Sequence, residues 1–309
     1  MKKPYDIIII GAGPAGMTAG VYAARKKLKT LIISRDIGGQ AAWSSDIENY
    51  LGFSMVSGAD LVKKFEEHLE QYKDELELRV VISGVKKITK KGKNFVLHLG
   101  DGNKEEARAV ILAGGKTPRE LGVQGEKEFI NRGVSYCAWC DGPLFKGKDI
   151  AVIGGGNSAL DTVLNVHKIV NQIYVLNITP ELTGDAVMIE KATDLANVRI
   201  LNNTEVVAIE GNKVVSSVRI KSRDGGLQKD LPVSGVFIEI GFIPATDYLK
   251  DFVKLNREGE VIIDKSNMTS VKGIFAAGDI TDVPEKQIIT AAGEGAKAAI
   301  CASKYLIKS

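Results

Sequence analysis

The hydrophobic and polar positions fall into a pattern that occurs twice. Tyr5–Ile10 is a short, nearly unbroken apolar run, followed by Gly11-Ala-Gly-Pro-Ala-Gly16, an Ala-rich helical stretch over Met17–Lys27, and a second apolar run over Thr30–Ser34. Strand, glycine turn, helix, strand is the order of a βαβ unit. The same order returns with Asp149–Ile153 as strand, Gly154-Gly-Gly-Asn-Ser-Ala159 as turn, Leu160–Ile169 as helix and Gln172–Leu176 as the next strand. Between the copies lie β-like stretches at Val80–Ile88, Phe95–Leu99 and Ala109–Leu112. After the second copy come Glu205–Glu210, Val214–Lys221 and Gly235–Ile240, then Val261–Ile263 and Gly273–Ala277, and a closing helix over Ile288–Leu306. Two such units in one chain predict two mononucleotide-type domains. The outer domain is expected over 1–116 and 245–309 and the inserted one over 117–244. The crossings fall near Lys116–Arg119 and Phe242–Thr246, each of which contains a proline.

Composition narrows the function classes. The chain has 309 residues, 44% hydrophobic and 26% charged, so a large core needs no disulfide or metal staples and disorder is not expected. A net charge of +3 gives no reason to expect nucleic acid as a partner. The cluster Lys86, Lys87, Lys90, Lys91 and Lys93 surrounds Gly92 between two β-like runs and reads as a solvated hairpin. The apolar run after Met1-Lys2-Lys3 is too short for a signal peptide, and no stretch approaches the ~20 residues of a membrane span. The expected location is therefore the cytoplasm. Three cysteines make no secreted disulfide framework.

Three motifs carry chemistry. In the first glycine loop Gly11 permits the tight turn, Gly13 lets the backbone approach a pyrophosphate, and Gly16 allows close helix packing. The anion then rests on the helix N-terminus. The second loop, Gly154-x-Gly156-x-x-Ala159, follows the same logic with Ala in third place, so Gly154, Gly156, Asn157, Ser158 and Ala159 are candidate contacts for a nicotinamide nucleotide. The ribose-reading position at the end of the next strand holds Asn177, and no Arg cluster for a 2′-phosphate follows it. That favours NADH over NADPH, with Asn177 as the ribose reader. The third motif is Cys137-Ala-Trp-Cys140. Its spacing brings two sulfurs within disulfide reach and commonly lowers one thiol's pKa, and the thiolate is the attacking species. Asp141 follows and can relay a proton. Zinc wants four ligands, but His68, His98, His167 and Cys301 are scattered with no second CxxC, so no metal is expected. Cys301, in the Ala-rich terminal helix, reads as structural. Trp139 either covers the redox pair, touches a partner or fills space between domains.

The segments GAGPAG (Gly11–Gly16), GGQ (Gly38–Gln40), IENYLGF (Ile47–Phe53), GEKEFINRGVSYCAWCDG (Gly125–Gly142), IFAAGDITD (Ile274–Asp282) and KQIITAAGEGAKAA (Lys286–Ala299) resemble the low-molecular-weight thioredoxin reductase family over nearly the whole chain. The fold this implies is α/β, with two Rossmann-like nucleotide-binding domains of the three-layer ββα type, the second inserted in the first. The resemblance implies FAD in the outer domain, held by Gly11, Gly13, Pro14, Ala15, Gly16, Ser34, Arg35, Gly39, Gln40 and Asn49. Asp279 would hold the ribityl or phosphate region, with Lys286, Gln287 and Ile288 near the flavin. It also implies that Cys140 faces the flavin, Cys137 attacks the partner's disulfide, Asp141 acts as acid/base, and the protein is a homodimer. Three further stretches, Asp141–Lys148, Ile153–Ala159 and the TPEL…D pattern at Thr179–Asp185, are similar to the flavoprotein component of alkyl hydroperoxide reductase, which resembles an NADH user. That component carries an additional N-terminal thioredoxin-like region. The present sequence begins at the FAD motif and would therefore work with a separate small dithiol protein.

The expected electron path runs from donor to FAD, to the Cys137–Cys140 disulfide, to a thioredoxin-like protein or a peroxiredoxin. Ferredoxin or a deazaflavin is an alternative donor, and a non-enzymatic flavin redox sensor is an alternative function. Contact with a flavin and with a protein substrate are hard to satisfy in one pose, so the inserted domain is expected to rotate on its two crossings.

Overall fold

The computed structural model describes residues 3–43, 47–223 and 225–308; the side chains of Trp43, Trp139 and Cys140 lie outside the described set. The chain divides into two compact units, one formed by Met1–Thr117 with Ile243–Ser309 and the other by Pro118–Phe242.

Unit 1 opens with β1 (Tyr5–Ile10), α1 (Pro14–Ala24) and β2 (Thr30–Ser34), then α2 (Gly58–Glu70), β3 (Leu76–Val80), β4 (Val85–Lys91), β5 (Asn94–Leu99), β6 (Lys104–Leu112) and β7 (Lys116–Pro118). Unit 2 holds β8 (Val134–Ser135), α3 (Ala138–Asp141), β9 (Asp149–Ile153), α4 (Asn157–Val166), β10 (Gln172–Leu176), α5 (Ala186–Thr193), β11 (Val198–Leu201), β12 (Thr204–Gly211), β13 (Val215–Ser222), β14 (Gln228–Pro232) and β15 (Gly235–Ile238). The chain returns through β16 (Phe242–Pro244) to β17 (Ile274–Ala276) and α6 (Ile288–Lys308). Strands β7 and β16 pair as a two-stranded ribbon where the chain crosses.

In unit 1 the sheet order is β3-β2-β1-β6-β5-β4, with β17 also on β6. β1 runs parallel to β2 (Ile8 opposite Leu31) and to β6 (Ile8 opposite Val110). A central parallel strand is covered on both faces, which is why β1 reads as four isoleucines in a row. Their side chains alternate. Ile7 and Ile9 join Ile32, Ile111 and the alanines of α1 and α6, while Ile8 and Ile10 join Leu31, Val110, Leu112 and the apolar residues of β4 and β5. Helices, parallel sheet and β-layer make three layers. Unit 2 repeats the plan with sheet order β11-β10-β9-β15-β8. Ile150, Val152 and Val175 face α4, and Ala151, Ile153 and Leu176 face the β12-β13-β14 layer.

Several boundaries differ from expectation. α1 begins at Pro14 because Gly13 is its N-cap and proline suits the first helical position; it ends at Ala24, and Lys27 lies at φ 58° in the turn that follows. α4 likewise begins early, at Asn157 after its Gly156 N-cap, and stops at Val166. The run expected over 80–88 is broken by a turn containing Gly84 (φ 62°), with β3 before it and β4 after. The strand expected over 261–263 is reduced to isolated bridges at Val261, to Leu255 and Thr281. The lysine cluster lies on the β4–β5 hairpin, exposed. No helix of the described residues is long and apolar enough to cross a membrane.

Candidate functional site

In each unit the strand order reverses at the carboxyl ends of the parallel strands, the place where open α/β sheets bind ligands. In unit 1 that point lies between β1 and β6. Gly11 takes φ 109°, and a methyl group built on it would lie 2.2 Å from the Ala113 carbonyl oxygen, so only glycine lets β1 leave the sheet there. A methyl on Gly16 would meet the Gly11 carbonyl oxygen at 1.9 Å. Gly13 is different. A methyl there would touch only the Gly38 carbonyl oxygen, at 3.9 Å. The first turn of α1 has no side-chain cap and no acidic residue. Free N–H groups, the positive helix end and open space over Gly13 fit a pyrophosphate.

Of the other residues expected to hold FAD, Ser34 and Gly39 stand at this loop, and the rest make contacts of their own. The Ala12 amide donates to Ser34 Oγ at 3.0 Å, so Ser34 fixes the glycine loop from the end of β2. Arg35 lies over the Gly84 turn, where a methyl on Gly84 would sit 2.6 Å from its Nε. Gly39 (φ 54°) would bring a methyl within 3.7 Å of Gly13 Cα, and Gln40 Nε2 donates to the Lys116 carbonyl at 3.4 Å. Asn49 Nδ2 donates to Gln287 Oε1 at 3.2 Å, joining two segments far apart in sequence. The side chain of Ala15 is buried against Gly278, and Pro14 occupies the first turn of α1. Ile288 opens α6. Lys286 Nζ donates to the Asp279 carbonyl at 3.3 Å and to the Thr281 carbonyl at 2.5 Å. Burial pushes the Asp279 carboxyl above its ordinary pKa, against the pull of Lys286 and Lys116.

Sequence reading missed the groups that hold this loop. Glu260 Oε1 pairs with both Lys116 and Lys286, at 3.2 Å each. Burial pushes Glu260 up, but hydrogen bonds from Asn256 and the two lysines outweigh it and hold the carboxyl below its usual range. Buried Glu294 accepts from the Gly278 amide at 2.8 Å and from Thr281 Oγ1 at 3.3 Å.

In unit 2 the reversal lies between β9 and β15. Gly154 (φ 135°) faces the Glu239 carbonyl oxygen, 2.2 Å from a built methyl, while a methyl on Gly156 would touch only Thr183 Oγ1, at 3.8 Å. Gly156 caps α4 without a side-chain bond. Ala159 is fully buried, Ser158 is exposed, and Asn157 Oδ1 accepts from the Asp185 amide at 2.7 Å. The cradle is therefore open at the same place as in unit 1. Asn177, expected as the ribose reader, lies at the end of β10. Its side chain is 3% exposed. Nδ2 donates to the Thr179 and Glu181 carbonyls and to Asn202 Oδ1, and Oδ1 accepts from Thr179 Oγ1 at 2.9 Å. With both amide hydrogens committed, Asn177 ties down the loop after β10. Glu239, just past β15, accepts from Thr162 Oγ1 at 2.9 Å, and burial pushes its carboxyl up to about 7.

The redox segment follows β8. Ser135 Oγ accepts from the Cys137 amide at 3.0 Å and donates to the Cys137 carbonyl at 3.1 Å, clamping that residue's backbone. Tyr136 donates to Glu126 Oε1 at 2.7 Å, and the Glu126 carboxylate, 1% exposed, also accepts from the Leu121 and Gly122 amides at 2.6 Å each. Cys137 is disulfide-bonded, whereas Cys301 is a free, half-buried thiol. The Asp141 amide closes a turn on the Cys137 carbonyl at 3.2 Å. The expected roles of the Cys140 and Trp139 side chains fall outside the described residues.

The family model for pyridine nucleotide-disulphide oxidoreductases matches residues 5–295. Among curated relatives, an NADH dehydrogenase of Bacillus subtilis (strain 168) is 40% identical over 308 residues, covering 100% of this chain and 60% of that protein. A component of the Pseudomonas putida alkyl hydroperoxide reductase is 40% identical over 310 residues, covering 100% of this chain and 59% of its own length. The chain thus spans about 60% of the length of these relatives. Among solved structures, Lactococcus lactis thioredoxin reductase in its FR conformation superposes with a TM-score of 0.87 at 33% identity, covering 99% of this chain and 100% of that one. With the fold, the two glycine cradles and these matches in agreement, the protein belongs to the pyridine nucleotide-disulphide oxidoreductase family.

Proposed function

We propose that this chain is an FAD-dependent disulfide reductase that takes electrons from NADH in preference to NADPH and passes them through Cys137 and Cys140 to the disulfide of a thioredoxin-like protein. The observation that carries this reading is the redox segment: Cys137 is disulfide-bonded, with its backbone clamped by Ser135, in the unit that also holds an uncapped glycine cradle. FAD, when bound, supplies a two-electron relay between a hydride donor and a disulfide. Gly11, Gly13, Pro14, Ala15 and Gly16 hold its pyrophosphate on α1. Ser34 and Arg35 serve the end of β2, Gly39, Gln40 and Asn49 close the second side, and Asp279, Lys286, Gln287 and Ile288 hold the ribityl and ring end. Gly154, Gly156, Asn157, Ser158 and Ala159 hold the nicotinamide nucleotide.

Cys140 would face the flavin, and two electrons and a proton supplied with the cofactor bound would open the Cys137–Cys140 bond to a thiol and a thiolate. Cys137, as thiolate, then attacks the partner's disulfide. Cys140 displaces the partner from the mixed disulfide, restoring the internal bond and releasing a dithiol. Asp141 moves the proton that each thiol gains or loses. Unit 2 rotates about the two crossings between these half-reactions, and the protein works as a cytoplasmic homodimer.

Preference for NADH is supported by the absence of arginine from the stretch Asn177–Leu182 and by the name of the Bacillus subtilis relative. Arg223 Nη1 donates to the Ile178 carbonyl at 3.3 Å and is the residue to replace first if NADPH proves the better donor. A second reading has its own support. Relatives 38–40% identical are named as components of alkyl hydroperoxide reductase, so the dithiol can serve a peroxiredoxin instead. Anaerobic stopped-flow mixing with NADH and with NADPH tests the donor. Fast flavin bleaching by NADH is expected; bleaching by neither would remove the nicotinamide step and leave ferredoxin or a deazaflavin as donor. Comparing turnover with a thioredoxin and with a peroxiredoxin then assigns the partner.

A further inference from the structure

Gly156, at the N-terminus of α4, borders open space. A methyl built on it would meet only Thr183 Oγ1, at 3.8 Å, and no other part of the chain beyond its immediate neighbours comes within 4 Å. This is the space a phosphate fills when it comes down on the end of α4, whose first turn holds neither a side-chain cap nor an acidic residue. Thr183 is exposed, and its hydroxyl is bonded to no described residue. A free donor thus stands beside the point at which the cradle is open.

The hydroxyl is carried by a loop, residues 177–185, that leaves β10 and leads into α5. Asn177 fixes its start. Nδ2 donates to the Thr179 and Glu181 carbonyls, and Oδ1 lies 2.4 Å from where a methyl on Gly155 would be. The Thr183 amide donates to the Gly155 carbonyl at 2.7 Å, and the Asp185 amide donates to Asn157 Oδ1 at 2.7 Å. Between them Gly184 has no room for a side chain, since a methyl there would lie 2.3 Å from Leu160 Cδ1. The backbone on both sides of Gly184 is therefore tied to the glycine loop and to the first residue of α4, so Thr183 is fixed against the cradle before any ligand arrives. An oxygen about 1 Å closer to Thr183 than the built methyl is at hydrogen-bond distance. An anion at that place receives N–H groups from the helix and an O–H from the loop, and hydrogen bonds to a charged acceptor are the strong ones. The carboxylates of Glu181 and Asp185, on either side of Thr183 in sequence, are exposed, so solvent and salt screen them.

We propose that Thr183 is a nucleotide-binding residue whose hydroxyl donates to a pyrophosphate oxygen of the nicotinamide nucleotide held over Gly156. The proposal rests on the reading of unit 2 as the nicotinamide site. Asn177 is then a positioning residue, which shapes the loop that carries Thr183. Because the pyrophosphate is common to NADH and NADPH, this contact strengthens both alike and leaves the choice between them to other residues.

The test compares Thr183→Val, which keeps the shape and removes the hydroxyl, with Thr183→Ser, which keeps the hydroxyl. Both are made in the full-length chain and loaded with FAD, so that unit 1 is filled. Binding of NAD⁺, NADP⁺ and ADP-ribose is measured by calorimetry, and thermal unfolding without nucleotide is recorded in parallel. Thr183→Val should bind all three about tenfold more weakly, the size of one hydrogen bond to a charged group. Thr183→Ser should stay within about twofold of wild type, and both variants should unfold at the wild-type temperature. Unchanged affinity in Thr183→Val, with or without a lower unfolding temperature, would overturn the proposal. Equal losses in the two variants would assign the effect to the methyl group and overturn it as well. A loss confined to NADP⁺ would place the hydroxyl at the 2′-phosphate and overturn the assignment to the pyrophosphate. Wild type that binds none of the three would instead sink the reading of unit 2 on which the proposal stands.

Discussion

Two carboxyls in unit 2, Glu126 buried and Glu239 half-buried, illustrate how differently a glutamate can be used. Glu126 is saturated by two amides and a phenol, so Glu126→Gln turns one acceptor into a donor facing a donor. A loss of about 2–3 kcal/mol is expected, read by urea unfolding; a loss under half of that would mean the carboxylate is dispensable to the segment that leads into Cys137. Glu239 has one hydroxyl partner, and burial raises its carboxyl from 4.5 to about 7. The folded state then holds its proton more tightly than the unfolded state, so the stability linked to it is fully present below pH 4.5 and is lost as pH rises through 7. Glu239→Gln should therefore stabilise the protein by about 2 kcal/mol at pH 8 and hardly at pH 4. Equal gains at both pH values would show that burial of charge is not the cause. Neither carboxyl could be singled out from sequence, because their partners (Leu121, Gly122 and Tyr136 for one, Thr162 for the other) are named only once the chain has folded. Asn177 makes the same point in reverse. The position at the end of β10 was legible as a ribose-reading position, but only the folded loop shows its amide fully engaged by Thr179, Glu181 and Asn202.

At the scale of elements, the glycine loops separate two jobs that their spacing alone merges. Gly16→Ala would drive a methyl to 1.9 Å from the Gly11 carbonyl and should destabilise the fold by several times the ~1 kcal/mol typical of a point change. Gly13→Ala has room, with its nearest contact at 3.9 Å, so thermal stability of the stripped protein should hold while FAD binding falls at least tenfold. If FAD still bound Gly13→Ala normally, the cradle would not be the pyrophosphate site. Strands β1, β2, β9 and β10 were legible to the residue because a parallel strand covered on both faces must be an apolar run of defined length. Helix starts were not, since proline and asparagine after a glycine read equally well as turn or as first helical turn. The Lys116–Glu260–Lys286 group was out of reach for another reason: its members lie on three separate segments, and no local periodicity marks a charge triad.

For the molecule as a whole, one chain builds the same three-layer unit twice, and the second copy is spliced into the first through β7 and β16. The chain passes between the units at two crossings, and the proposed rotation uses these as its hinges. A covalent crosslink that fixes unit 2 against unit 1 should stop turnover while sparing at most one half-reaction; full turnover in the locked protein would rule the rotation out. The claim on which everything else depends is that electrons entering from the nicotinamide reach Cys137. The most direct measurement is anaerobic addition of NADH to the flavin-loaded protein, followed by alkylation and mass spectrometry of the peptide containing Cys137. The account predicts that Cys137, disulfide-bonded at rest, becomes alkylated when NADH is present and stays protected without it. A flavin that bleaches while Cys137 remains unlabelled would contradict it.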